Sequence, residues 1–190
     1  MTDYFALFER SRQPWLDPRE LQRTFHEKTL RTHPDAQARD DGTGQAETVF
    51  AELNEAYQVL RDPKRRLHHF LNLEGFPPAA QTAAIPADIE KIFPAVAALM
   101  QAADGLVQRT ELATTALSRS LMSPELSQMQ ENLAEMLERI SSLQRAAEAE
   151  LQAISDTWRE RPLALQDLYL RFSYLARWIT ELQEKRLKLY

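Results

Sequence analysis

The sequence predicts an all-α fold, and three observations carry that prediction. Apolar residues recur at spacings of three and four along most of the chain. No stretch alternates apolar and polar residues in the two-residue period of a strand. Only four of the 190 residues are glycine, while ten are proline, and half of the prolines stand where helices would begin. Hydrophobic residues at 44% and charged residues at 27% fit a globular helical chain better than a disordered or fibrous one.

Taken in order, Asp3 is placed to cap a short helix through Glu9 that carries Tyr4, Phe5, Leu7 and Phe8. Such a helix is too short to stand without docking. In "LDPRELQRTFHEKTLRT" three start signals coincide: Asp17 at the N-cap, Pro18 at the first helical position and Glu20 three residues past the cap. That helix must stop ahead of Pro34, because a proline disfavours α geometry in the residue before it. "QAETVFAELNEAYQVLRD" sets Val49, Phe50, Leu53, Ala56, Tyr57 and Leu60 on one apolar stripe. Pro63 opens a further helix with Leu67, Phe70, Leu71 and Leu73 facing inward, and the expected hairpin is two longer helices braced by two short ones.

The texture changes after "GFPPAAQTAA", whose glycine, paired prolines and small residues form a connector. Residues 1–76 are read as one domain, 77–84 as the linker and 85–190 as an antiparallel three-helix bundle. Pro86 starts the first bundle helix, Ser123-Pro124-Glu125 the second, running to about Arg159, and Pro162 the third. Pro94 is a candidate kink within the first.

Several function classes are disfavoured. A net charge of −5 argues against nucleic acid as a partner, since that affinity comes from clustered lysine and arginine. With no cysteine, disulfides, thiol nucleophiles and cysteine-held zinc or iron–sulfur sites are excluded for this chain. No run approaches the ~20 apolar residues of a membrane span. Met1-Thr2-Asp3 opens nothing like a signal peptide, so a cytoplasmic location is expected. His68 and His69 are neighbours whose side chains point about 100° apart on a helix, a poor arrangement for one metal ion. Burial against the helical core is the expectation there, and no metal or cofactor is expected. Arg61, Lys64, Arg65 and Arg66 read as a solvated helix start. No nucleophile elbow, phosphate-cradling glycine loop or HExxH motif occurs, so the chain is not read as an enzyme.

One stretch is more specific. "LRTHPDAQ" sets His33, Pro34 and Asp35 in the loop between the hairpin helices, and "LNEAYQVLRDPKRR" follows. Together with the short aromatic helix ahead of them, these motifs resemble the J-domain of DnaJ-type co-chaperones. The start "DYFALFE", the ending "FLNLEGF", the last segment "LRFSYLARWITELQEKRLKL" and the absence of a Gly/Phe linker and a cysteine-rich zinc module are similar to the HscB family of iron–sulfur cluster co-chaperones. The resemblance implies docking of the His-Pro-Asp loop and the basic side of the preceding helix onto a DnaK/HscA-type ATP-dependent chaperone, whose ATPase is stimulated. Asp35 would be the key anion, paired with a partner arginine. Pro34 would stiffen the loop and His33 would supply a ring to pack or donate. Arg19, Arg23, His26 and Arg31 would draw in an acidic partner surface.

The resemblance also implies that the bundle presents a client, the iron–sulfur scaffold protein, through an apolar patch on its first helix. The family's Leu-Met-Glu-like motif is absent, and the nearest candidates are Ile89, Ile92, Phe93, Val96, Leu99 and Met100. Other departures are Lys28 where the family has an apolar residue, Thr32 in place of tyrosine, Ala36 in place of lysine, and Glu27 interrupting the basic side. Lys28 fits the core side if its stem packs and its ammonium reaches water. Two other readings stay open: a J-domain protein serving a client unrelated to iron–sulfur assembly, and a helical scaffold that no longer stimulates an ATPase.

Overall fold

A computed structural model describes residues 2–32, 43–77 and 84–189. Seven α-helices and one 3-10 turn occur among the described residues, and no strand, which is the all-α class that the spacing predicts. The expected linker falls largely on residues 78–83, outside the described residues.

Local signals place the N-terminal helices. In α1 (Tyr4–Leu7) the Asp3 carboxylate accepts from the backbone N–H groups of Phe5 and Ala6 at 3.0 and 3.2 Å. The helix stops before Glu9, where a left-handed φ of 54° turns the chain. At the start of α2 (Pro18–Thr32), Asp17 Oδ1 accepts from the N–H groups of Arg19 and Glu20 at 2.8 and 3.2 Å. Helix α3 (Thr43–Arg61) buries Leu53, Ala56 and Leu60, but Val49 and Phe50 at its beginning are exposed. The expected stripe therefore holds only over the second half of the helix. Asp62 caps α4 (Pro63–Leu73) through Arg65 N–H at 2.8 Å, and Leu67, Phe70 and Leu71 are fully buried.

Both boundaries of the second bundle helix differ from expectation. After α5 (Ala87–Leu112), helix α6 (Ala116–Ile154) starts well before Ser123, and Pro124 lies inside it. The start signal is reciprocal: Thr115 Oγ1 accepts from Ser118 N–H at 3.1 Å while Ser118 Oγ accepts from Thr115 N–H at 3.2 Å. This is a capping box with serine in the place of the usual glutamate. Pro124 stands at the ninth position of the helix, where it removes one intrahelical N–H donor. At its far end α6 stops at Ile154, and the chain passes through a 3-10 turn (Trp158–Glu160) into α7 (Pro162–Lys188).

By packing, the chain forms two units. The first joins residues 1–81 with 148–169, and the second joins 82–147 with 170–190. The end of α6, the 3-10 turn and the first turns of α7 thus belong with the N-terminal helices, a grouping that chain order does not suggest. In this first unit α2 and α3 run antiparallel, with Phe25 stacked on Tyr57 at 4.1 Å between ring centres. Phe70 meets Phe5 and Trp158 edge-on, at 6.1 and 4.9 Å. Trp158, Leu165 and Leu168 are buried beside them.

The second unit is a three-helix bundle. Three pairs tie α5 to α7 in step along their lengths: Asp88 with Arg171 (3.5 Å), Phe93 with Trp178 (5.8 Å between rings) and Asp104 with Lys185. These two helices run parallel, with α6 antiparallel to both. Its core is Ile89, Ile92, Val96, Ala103 and Leu106 of α5, Leu133 and Ile140 of α6, and Leu175, Trp178 and Leu182 of α7.

Candidate functional site

Helix α2 carries the candidate residues that the structure describes. At about 100° per residue, Arg19, Arg23, His26 and Leu30 fall within about 60° of arc. All four are exposed, and Leu30 is 61% exposed at the end of the row. Leu21 is buried on the opposite side and Phe25 stacks on α3, so the row faces solvent because the apolar positions of the same helix face the hairpin. Arg31 is exposed but stands apart, about 120° round the helix from Arg19. It lies on the flank towards Glu9, whose carboxyl is held below its usual range first by the Lys28 ammonium and in small part by Arg31. The structure thus brings Arg19, Arg23 and His26 together and leaves Arg31 out of their row. Glu27, also exposed, interrupts the charge on that flank.

Lys28 bears out the snorkelling expectation. Its side chain is only 20% exposed, and its Nζ donates to Glu9 Oε1 at 2.6 Å, at a carboxylate that stands 78% in solvent. The stem covers the hairpin while the charge ends at the surface.

His33, Pro34 and Asp35, like Ala36, lie outside the described residues. Leu30, in the last turn of α2, is exposed, as are Val49 and Phe50 about two turns into α3.

The expected client patch is largely corrected. Ile89, Ile92 and Val96 are core residues of the bundle, at most 1% exposed. Leu99 and Met100 are partly buried against that core. Phe93 alone of the six is exposed, at 43%, one edge of its ring lying against Trp178. The reason is periodic: 89, 92 and 96 share the stripe that faces α6 and α7, whereas 93 sits on its border.

Two residues beside these gain a role that spacing did not show. Arg66, read as part of a solvated cluster, is buried. Its Nε donates to Pro14 O at 2.9 Å and its Nη1 to Leu60 O at 2.8 Å, pinning the α1–α2 connection to the end of α3. Burial pulls its pKa down to about 10, so it remains a cation at neutral pH. The available signal was its position, three residues past the proline of α4 and one before buried Leu67. His69 is buried as expected of the pair, while His68 is exposed beside Asn72. His69 Nε2 accepts from Tyr4 N–H at 3.2 Å, and its ring stacks on Tyr4 and Phe5 at 4.6 and 5.7 Å. Desolvation lowers its pKa.

Among the described residues no group of three or more His, Asp or Glu is placed to hold a metal, and no helix is long and apolar enough to cross a membrane.

The family model of the DnaJ domain matches residues 3–69. This stretch is a DnaJ domain. The chaperone protein DnaJ of Gluconobacter oxydans (strain 621H) is 42% identical over 64 residues, and that of Clostridium beijerinckii 39% identical over 64. In both cases the match covers 34% of this chain but 16% of the relative, so the likeness ends with the DnaJ domain. Across its whole length the chain shares the fold of the chaperone HscB from Vibrio cholerae, with a TM-score of 0.62, 22% identity and full coverage of both chains. The DnaJ domain followed by a helical bundle is therefore the architecture of the entire chain.

Proposed function

We propose that this protein is a co-chaperone whose DnaJ domain docks on a DnaK/HscA-type chaperone and stimulates its ATPase. The observation that carries this reading is a DnaJ domain whose α2 presents Arg19, Arg23 and His26 to solvent in a row leading to the His33-Pro34-Asp35 segment. On this reading the hydrolytic chemistry belongs to the partner, and the chain contributes no catalytic group. Asp35 pairs with a cation of the partner, with Pro34 and His33 shaping the loop. Arg19, Arg23 and His26 raise the encounter rate with an acidic surface, Arg31 adding charge from the flank. The partner's compartment, taken as the cytoplasm, is that of the chain.

The test is single-turnover ATP hydrolysis by a DnaK-type protein, with the full chain and with Asp35→Asn. Stimulation that the substitution abolishes is the expected result. No stimulation by the unaltered chain would leave a helical scaffold.

For the bundle, the reading that follows the resemblance is delivery of an iron–sulfur scaffold protein. A specific observation favours a second reading, a client of another kind: of the residues expected to hold the scaffold, Ile89, Ile92 and Val96 are enclosed in the core. Calorimetric titration with a scaffold protein separates the two. Binding weakened by Phe93→Ser supports delivery of the scaffold, and absence of binding supports the other client.

A further inference from the structure

At one end of the bundle the last turn of α5, the first turns of α6 and the last turn of α7 meet. Arg119 Nε donates to Ala113 O at 3.1 Å, Arg109 pairs with Glu125, and Gln130 Nε2 donates to Leu189 O at 3.0 Å. Together these segments frame a cleft of about 180 Å3, lined by Met122, Leu126 and Leu189 with Arg119 and Lys188 beside them, and by no carboxylate. The cleft lies where the core runs out. On α6, Arg119, Met122 and Leu126 fall within about 60° of arc, on the side that carries Leu133 and Ile140. Leu133 and Ile140 are fully buried, whereas Met122 and Leu126 are only partly covered. Both cations of the cleft are exposed. Elsewhere in the bundle Arg109, Arg145, Arg171, Arg177 and Lys185 each stand in an ion pair with a carboxylate of the same unit. Among the described residues Arg119 and Lys188 have no such partner, and Glu125, the acid next to Leu126, is held by Arg109 through both oxygens.

We propose that this cleft docks a segment of a partner protein that presents a large apolar side chain between acidic residues. An apolar side chain seated there completes the cover of Met122, Leu126 and Leu189 and removes their remaining apolar surface from water. Methionine is the side chain best able to adjust to what enters. The charge of the partner follows from the cations: with no acid lining the cleft, Arg119 and Lys188 favour carboxylates on either side of the inserted residue. Arg119 is already steadied by its bond to Ala113 O, and its Nη1 and Nη2 are left for such a carboxylate. An ordinary bundle end accounts for two exposed cations, but not for an apolar floor shared by α6 and α7 beneath them. A concave floor suits one inserted side chain better than the flat surface of a lipid layer. The inference rests on the co-chaperone reading for the bearer of the segment, the client, and gives the bundle a client surface away from Ile89, Ile92 and Val96, which its own core encloses.

The probe is the peptide acetyl-Ala-Glu-Phe-Leu-Glu-Ala-amide, titrated at constant ionic strength into the full chain carrying methyl-labelled methionine. Its comparison is the same peptide with lysine in place of both glutamates. NMR should show saturable shifts of the Met122 methyl signal with the acidic peptide, while that of Met136, about 21 Å further along α6, stays in place. The dissociation constant should rise about tenfold when Arg119→Glu and Lys188→Glu are combined, two exposed charge pairs being lost together. Lys188→Glu alone, which breaks no hydrogen bond among the described residues, should raise it about threefold. Equal affinity for the lysine peptide, unchanged affinity in both variants, or no saturable shift at Met122 overturns the inference. So does a Met122 shift with phosphatidylglycerol vesicles and none with the peptide, which would assign this end to a lipid surface. Stimulation of a DnaK-type ATPase by the same preparations reads the co-chaperone proposal alone, so failure of the one is told from failure of the other.

Discussion

His69 and Arg66 have opposite relations to charge. His69 accepts a hydrogen bond from Tyr4 N–H, which requires a lone pair on Nε2 and therefore the neutral ring with its proton on Nδ1. Asp3 favours the charged ring, while Arg12 and His68 oppose it, and desolvation outweighs them all. The folded pKa thus lies below the ordinary 6.5, and the unfolded chain takes up the proton first. His69's contribution to stability is full above about pH 6.5, falls as pH drops below it, and levels off once the folded ring is also protonated. Urea midpoints measured between pH 7.5 and 5 should show this fall, and His69→Gln should flatten it. Arg66 must stay charged to satisfy two buried carbonyls. Replacing it by Met leaves Pro14 O and Leu60 O without their donors, at a cost of about 2–4 kcal/mol. Hydrogen exchange of the α3 and α4 amides measures that loss, and a change under ~0.5 kcal/mol would mean the carbonyls find other donors.

Among the helices, caps account for where most of them begin. Asp3, Asp17 and Asp62 each accept from backbone N–H groups within three residues, and each is recognisable in the sequence as an acid ahead of a helix-forming run. The start of α6 escaped that reading because Ser123-Pro124 is the more familiar signal, while Thr115 and Ser118 form the box that operates. Thr115→Ala should cost about 1 kcal/mol and fray the first turns of α6, seen as faster amide exchange at residues 116–120. Unchanged exchange there would show that packing, and not the cap, sets the boundary. The exposed row on α2 is legible for a related reason. Arg19, Arg23 and His26 follow the helical period, and Leu21 and Phe25 tell which side is covered. Arg31, which the resemblance groups with them, falls about 120° from Arg19, and the helical period separates it.

Across the chain, the division into packing units changes what a truncation does. Trp158, Leu165 and Leu168 come from beyond residue 148, yet they are buried in the unit that contains the DnaJ domain, with Trp158 edge-on to Phe70. A fragment ending at residue 77 loses that cover. It should unfold at lower urea than the same helices in the full chain, and Trp158→Ala in the full chain should shift them the same way, by about 3–5 kcal/mol. Exchange rates of the α4 amides read both changes. Identical rates in the fragment and the full chain would show that residues 148–169 add nothing to the domain.

How far a reading of residues reaches follows from the range of the interaction concerned. Caps, proline starts and the period of apolar positions act within about one helical turn, so the helices and the all-α class were legible without coordinates, as was the DnaJ pattern around His33-Pro34-Asp35. Burial is decided by what covers a face, and the covering residues are tens of positions away in the chain. That is why Val49 and Phe50 continue an apolar stripe yet stand in solvent, and why Arg66 sits in the core although its neighbours Lys64 and Arg65 are charged. For the same reason Ile89, Ile92 and Val96, apolar on an amphipathic helix, fitted a partner's patch and the bundle's own core equally well until α6 and α7 were in place to enclose them.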